Sequence, residues 1–169
     1  MGRKIIFTFM LFMITGCAEF DLHIRSERVP AKVSKILIGN FEFRNMTYDP
    51  YISTEYREAI KFEFFKRGID ALLIPDSENS LTDYIEKIPE LAGKYKGDIF
   101  IRGIISQRET GFLTDREINS SVNLIIYSAD GRQIGESYYY TDKQAADESA
   151  KRDLSERFVN TIIKNLVIN

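Results

Sequence analysis

Apolar positions recur along this chain with two periods, two and three-to-four, and the switches between them mark out its elements. Val33 to Phe43 (VSKILIGNFEF) sets Leu37, Phe41 and Phe43 against Ile36 and Ile38, so both faces are apolar and a central strand is expected. Asn45 to Pro50 is turn chemistry. Ser53 or Thr54 then offers a cap for a helix that runs to Gly68. On that helix Ile52, Tyr56, Ala59, Ile60 and Phe64 make one apolar stripe. Phe62 and Phe65 lie away from it. They either extend the buried stripe under a neighbouring segment, which is the expectation, or form an exposed aromatic patch. Ile69 to Ile74 reads as a short strand ended by Pro75. Ser80-x-x-Asp83 resembles a capping box for a helix over Leu81 to Lys94 that Pro89 kinks or divides.

Further along, Asp98 to Glu109 (DIFIRGIISQRE) begins apolar and ends polar, as a third strand, and Thr110 to Glu117 is a loop around Gly111. Ile118 to Tyr127 alternates Val122, Leu124 and Ile126 on one face. Ala129-Asp130-Gly131 supplies a hairpin turn, and Gln133 to Thr141 returns with Tyr138, Tyr139 and Tyr140, alternate rings pointing to opposite faces. These last three strands are expected to form an antiparallel meander. Lys143 to Leu166 reads as a long helix with Ala146, Ala150, Leu154, Phe158 and Ile162 at spacings of four, widened by Val159, Ile163 and Leu166. The order β-α-β-α-β-β-β-α predicts an α+β two-layer sandwich, a mixed sheet of about five strands with the C-terminal helix packed across it.

The first 31 residues are expected to lie outside this domain. Arg3 and Lys4 precede an apolar run from Ile5 to Ile14, too short for the roughly 20 helical residues that span a bilayer. This is the build of a secretion signal. Its last four residues, Ile14-Thr15-Gly16-Cys17, resemble the lipobox of bacterial lipoproteins. The resemblance implies cleavage between Gly16 and Cys17, a diacylglycerol on the Cys17 sulfur and an acylated amino terminus. An ordinary signal peptide with an incidental cysteine, or an uncleaved anchor, is the alternative. Buried acyl methylenes contribute about 0.8 kcal/mol each, so one chain binds marginally and several hold firmly. Ala18 follows the cysteine where, by resemblance to enteric lipoproteins, an Asp favours inner-membrane retention, and this points to the outer membrane. Residues 1–16 are thus expected to be a signal peptide and 17–31 a lipidated, polar tether. Residues 32–169 are expected to form one domain.

Composition narrows the function. Loss of Arg3 and Lys4 takes two of the 23 basic residues and leaves 21 against 25 acidic ones, a net charge near −4. A nucleic-acid binder needs a basic face, so no nucleic-acid partner is expected. Cys17 is the only cysteine; once acylated, it leaves no thiol for a disulfide, a metal cluster or a redox pair. The only histidine, His23, falls in the expected tether. Ser-His-Asp and Cys-His catalysis are therefore not expected, and any metal would rest on carboxylates alone. No GxSxG, GxGxxG, Walker loop or HExxH is present. Distant paired carboxylates stay open in principle, yet most acids sit beside Lys or Arg on helix faces and read as solvated. Neither an enzyme nor a cofactor or metal site is expected. The binding candidate is the loop Gln107 to Glu117, where Phe112 and Leu113 form an apolar tip flanked by Arg108 and Arg116. It reads as a plain hairpin loop, or else as a contact for a phosphorylated lipid head group or a partner protein.

The strand ILIGNFEFRNMT resembles the opening strand of the curli-secretion lipoproteins, the penicillin-binding-protein activator lipoproteins and the amino-terminal domain of TolB. Gly97-Asp98-Ile99-Phe100-Ile101-Arg102-Gly103 is similar to the small-Asp-strand-Gly segment of that group. The lipopolysaccharide-assembly lipoprotein shares the anchor, the size and the closing helix, but usually lacks a helix near Leu81 to Lys94. The likeness implies non-catalytic envelope work, a lipid-anchored adaptor or assembly factor with an envelope protein partner. A lipid- or glycolipid-handling outer-membrane lipoprotein is the alternative and an envelope hydrolase the third.

Overall fold

Six strands form one mixed sheet. The computed structural model describes residues 18–25, 29–30, 32–78, 84–111 and 117–166. Gly16, Cys17, the Ser80-to-Asp83 capping box, and Phe112, Leu113 and Arg116 lie outside the described residues. The elements are β1 (Glu19–Ile24), β2 (Lys35–Arg44), α1 (Pro50–Phe65), β3 (Asp70–Leu73), α2 (Tyr84–Tyr95), β4 (Ile99–Thr110), β5 (Glu117–Ser128), β6 (Gln133–Thr141) and α3 (Glu148–Asn165), with a 3₁₀ turn over Asp76–Glu78. The strand order is β1-β6-β5-β4-β2-β3. β4, β5 and β6 form the expected antiparallel meander. β2 lies parallel to both β3 and β4.

The two parallel crossovers step in opposite directions, outward from β2 to β3 and then back across β2 to β4. Right-handed connections place the helices of such a pair on opposite faces. The packing agrees. α1 and α3 cover one face over Ile36, Ile38, Ile101, Leu124, Ile126 and Tyr139, the main core. α2 covers part of the other face, where Ile88 and Leu91 meet Leu37, Phe100 and Tyr127. Pro89 stands inside α2 without dividing it.

Four expectations need correction. Residues 19–24, expected in the tether, are an edge strand paired antiparallel with β6. The segment EFDLHI alternates strictly: Phe20, Leu22 and Ile24 pack on the core while Glu19, Asp21 and His23 are exposed. The sheet therefore has six strands. Secondly, Phe41 and Phe43 share the face of Ile36 and Ile38, not that of Leu37. A bulge between Ile38 and Phe41 adds a residue and reverses the alternation. Thirdly, α1 is capped by Asp49, whose carboxylate accepts from Tyr51 N at 2.8 Å, with Pro50 in the first turn. Ser53 is buried instead, and its Oγ accepts from Phe41 N at 3.2 Å. Fourthly, α3 begins at Glu148. Asp147 accepts from Ser149 N at 2.8 Å and Ala150 N at 3.1 Å, which leaves Ala146 exposed before the helix.

Arg57 locks the bulge. Its side chain, 5% exposed, donates to Asn40 Oδ1, to the Ile74 carbonyl and, at 2.8 Å, to Asp76 Oδ1. One guanidinium thus joins α1, the bulge in β2 and the end of β3. Lys151, 2% exposed, bonds Glu55 at 2.6 Å and Glu148 at 2.5 Å and so ties α3 to α1. Burial works against its charge, but the two carboxylates outweigh burial and hold its pKa above the usual lysine value.

Gly97 and Asp98 turn out to be structural. A Cβ at residue 97 would overlap the Leu37 side chain, and one at Gly103 would overlap the Phe41 ring. Asp98 Oδ2 accepts from Ser34 N at 2.7 Å, Ser34 Oγ at 2.8 Å and Lys35 N at 3.0 Å, which fixes the entry to β2. Burial alone would raise the pKa of this carboxyl, but these donors outweigh it and hold it below the usual carboxylate range. Asp98→Ala is expected to cost about 2 kcal/mol near neutral pH. The depressed pKa makes this contribution complete above the ordinary Asp value, and it is lost as pH falls through the lower folded value. Urea unfolding followed by far-UV circular dichroism across acid pH checks this. The variant should show a shallower acid limb than the native chain, and coincident limbs would refute the role given to Asp98.

Candidate functional site

Three surfaces remain uncovered by the fold. The first is the rim at the end of the sheet where β1 and β5 begin and β2, β4 and β6 finish. β4 and β5 stay paired out to Thr110 and Glu117, whereas β2 leaves β4 at Ser106 and β6 leaves β5 at Ser120. The β4–β5 hairpin therefore projects about four residues, roughly 13 Å, past its neighbours. The turn from β2 into α1 rises beside it and encloses a hollow of about 740 Å³ with Met46, Tyr48, Pro50, Tyr51, Gln107 and Glu109. Tyr48 is 47% exposed and Tyr51 78%. The Tyr48 ring is held edge-on against Phe43 at 5.2 Å.

The second surface is the part of the sheet face that α2 leaves open. Cross-strand register brings Arg108 opposite Asn119, Ser106 opposite Ser121, Ser121 opposite Tyr140 and Asn123 opposite Tyr138. Most of these line a hollow of about 350 Å³. The alternation expected of the tyrosine run holds: Tyr139 is buried in the core and Tyr138 is half exposed on the open face. Tyr139 Oη donates to Asp153 at 3.2 Å; its pKa is pushed up to about 12, by burial first and then by the Asp153 charge. Asn123 Nδ2 donates to Glu136 Oε1 at 2.5 Å, while its buried Oδ1 has no hydrogen-bond partner among the described residues. Arg102 pairs with Glu42 at 2.7 Å.

The third surface lies at the opposite edge. Phe62 and Phe65 are 59% and 73% exposed, which overturns the expectation that they extend the buried stripe. No described segment covers this side of α1: β3 is a four-residue strand at the sheet edge, and the next described helix, α2, lies on the other face. With Glu58, Lys61, Ile69, Asp70 and Ala71 the two rings line a groove of about 280 Å³. Just behind it, Glu63 is 6% exposed and bonds Lys66 at 2.9 Å and Arg67 at 2.7 Å. Burial raises its pKa, but the two cations prevail and keep it ionised below the usual carboxylate range. Glu63, Lys66 and Arg67 all lie on α1 or the turn after it, and Arg67 also donates to Asn160 Oδ1, which ties this end of α1 to α3.

Of the residues expected at a binding loop, Arg108 is exposed near the hairpin end, and the other three are outside the described residues. His23 stands exposed on the outer face of β1, in register with Glu136. Among the described residues no group of three or more His, Cys, Asp or Glu is placed to hold a metal ion. Among the same residues no helix is long and apolar enough to cross a membrane. The Phe62–Phe65 groove was the feature hardest to read in advance. Its signal was the excess of aromatic residues on α1 beyond the width of one stripe.

No protein-family model matches the chain, and no curated protein matches it in sequence. Solved structures do share its fold. It is similar to PelC from Paraburkholderia phytofirmans, solved as a dodecamer, with a TM-score of 0.56 at 13% identity over 90% of this chain and 99% of that one. A point variant of the same dodecamer gives 0.58 at 12% identity, over 90% and 100%. The lipoprotein GNA1162 from Neisseria meningitidis gives 0.52 at 11% identity, over 78% and 99%. The chain thus has a fold that occurs in a bacterial lipoprotein.

The exposed aromatic pair has a direct energetic consequence. Phe62→Ser with Phe65→Ser is expected to leave the unfolding free energy within about 0.5 kcal/mol of the native chain, as for other surface positions. Truncating buried phenylalanines instead costs about 3–5 kcal/mol each. A drop of that size in a urea titration would place the rings in a core and remove the groove from consideration.

Proposed function

We propose that this chain is a non-catalytic adaptor of the bacterial envelope, held by acyl chains on Cys17 at the outer membrane and docking an envelope protein on its Phe62–Phe65 groove. The observation that carries the reading is that groove: two aromatic rings left in solvent on α1, beside β3, which ends the sheet among the described residues. Contiguous exposed apolar surface of this kind marks protein contacts, and aromatic residues dominate their energetics. The open outer edge of β3 adds backbone groups that a partner strand can pair with. The lipobox at Ile14-Thr15-Gly16-Cys17 supports the anchor, and Ala18 after the cysteine supports the outer membrane. A fold shared with a bacterial lipoprotein agrees with this location.

Crosslinking in intact cells tests the adaptor role. The native protein should give a discrete adduct with one envelope protein, and Phe62→Ser with Phe65→Ser should abolish it while the fold is retained. Recovery of free monomer alone from the native protein would sink the reading.

A second reading, lipid or glycolipid handling, is favoured by one observation. Arg108, Ser121, Tyr138 and Tyr140 line a polar hollow on the open face, with the unmatched Asn123 Oδ1 nearby on the same face. Arg116, from the same loop by sequence, is the second cation proposed for an anionic head group. Titration with anionic glycolipid separates the two readings. Saturable binding lost on Arg108→Ala with Arg116→Ala, and untouched by the phenylalanine substitutions, would establish the second; absence of binding rejects it.

A further inference from the structure

We propose that the rim carrying Tyr48 and Tyr51 rests on the lipid surface, with the two tyrosines at head-group level. This rests on the reading that Cys17 is acylated. What β1 adds is distance. Glu19 is hydrogen-bonded into the sheet opposite Tyr140, and two residues of chain reach at most about 7 Å. A lipid on Cys17 is therefore confined to the rim where β1 begins, with no slack from a tether. The register Glu19–Tyr140–Ser121–Ser106–Arg44 runs across five of the six strands at this end. From β1 to β2 is four strand spacings, about 19 Å, and the β4–β5 hairpin with the turn into α1 beside it stands above this line, so one anchored corner brings a narrow, raised rim to the bilayer.

The chemistry of the rim fits that contact. Tyr48 and Tyr51 are its large exposed aromatics, and tyrosine is enriched at membrane interfaces because its ring is apolar and its hydroxyl is wet. Met46, Pro50 and Ile52 line the same hollow. The charges there are mixed. Arg44, Arg108 and Lys143 are offset by Glu19, Glu109 and Glu117. Attraction to anionic lipid is thus weak, and contact with uncharged phosphatidylcholine is expected to suffice. The exposed Phe65 and the start of β3 lie at the opposite end of the sheet from Glu19 and stay available to a protein.

The chain contains no tryptophan, so one introduced by substitution reports on a single place. The acylated full-length protein is reconstituted in phosphatidylcholine vesicles containing brominated lipid, with Tyr51→Trp or Phe65→Trp as reporter. The emission of Tyr51→Trp should shift to the blue and be quenched by roughly twofold or more, as for an interfacial ring. Phe65→Trp should keep a solvent-like spectrum without quenching. An acylated protein in which Tyr51→Trp stays unquenched, or in which Phe65→Trp is the quenched one, overturns the proposal and leaves the anchor standing. A natural protein whose mass shows no acyl group on Cys17 overturns the anchor, and the proposal falls with it.

Discussion

The guanidinium of Arg57 is the interaction on which the arrangement depends. β2 is the central strand of the parallel part, and its bulge lets Ile36 and Ile38 share a face with Phe41 and Phe43. A bulge leaves backbone and side-chain polar groups unpaired inside the protein, which is costly unless each finds a partner. Arg57 and Ser53, one turn apart on α1, supply those partners at Asn40 and at the Phe41 amide. The same guanidinium takes the Ile74 carbonyl, where the chain leaves β3 for the opposite face. Without this bridge the bulge, the seat of α1 and the exit from β3 would each leave a polar group buried alone. Breaking a buried charged network of this type typically costs about 3–5 kcal/mol.

The reversal at β3 also distributes the surfaces. Because the second crossover returns on the other side, α2 covers one end of that face and the outer side of α1 gains no neighbour. The fold thus leaves a polar, tyrosine-bearing sheet face, a rim beside the amino terminus and an aromatic groove at the far edge. None of the three brings together a nucleophile with a base among the described residues. The proposed anchor at one corner and the proposed protein contact at the opposite edge suit a tethered adaptor, whose work is to hold two things at a set distance.

Much of this was legible in the chain. The period-two segments over β4, β5 and β6 and the spacing-of-four stripe on α3 need only local alternation, and they ended within a few residues of their expected bounds. The reading of Tyr138 to Tyr140 held for the same reason. β1 was missed although its alternation is strict, because Glu19, Asp21 and His23 make the segment polar on average and its pairing partner is more than a hundred residues away in sequence. Ser53 or Thr54 suits a cap by local chemistry alone, whereas Ser53 accepts from the amide of Phe41 in a different element and Asp49 caps the helix. The phases of Phe41 and Phe43 were misjudged since a bulge leaves no mark in an apolar pattern when both faces of the strand are apolar.

By itself the chain determined the types and order of its elements from β2 to α3, its lack of catalytic motifs and the position of an acylatable cysteine, since each depends on neighbouring residues and their periodicity. Tertiary structure decided which apolar residues remain outside. Phe62 and Phe65 have the hydrophobicity of core residues; helical spacing sets them off the stripe of Tyr56 and Phe64, but it does not say whether a neighbouring segment covers them. They are exposed because the right-handed return of the chain over β2 carries the next helix to the far side of the sheet. The same non-local pairing drew β1 into the sheet and shortened the path from Cys17 to the domain to two residues, a distance that only the strand register reveals.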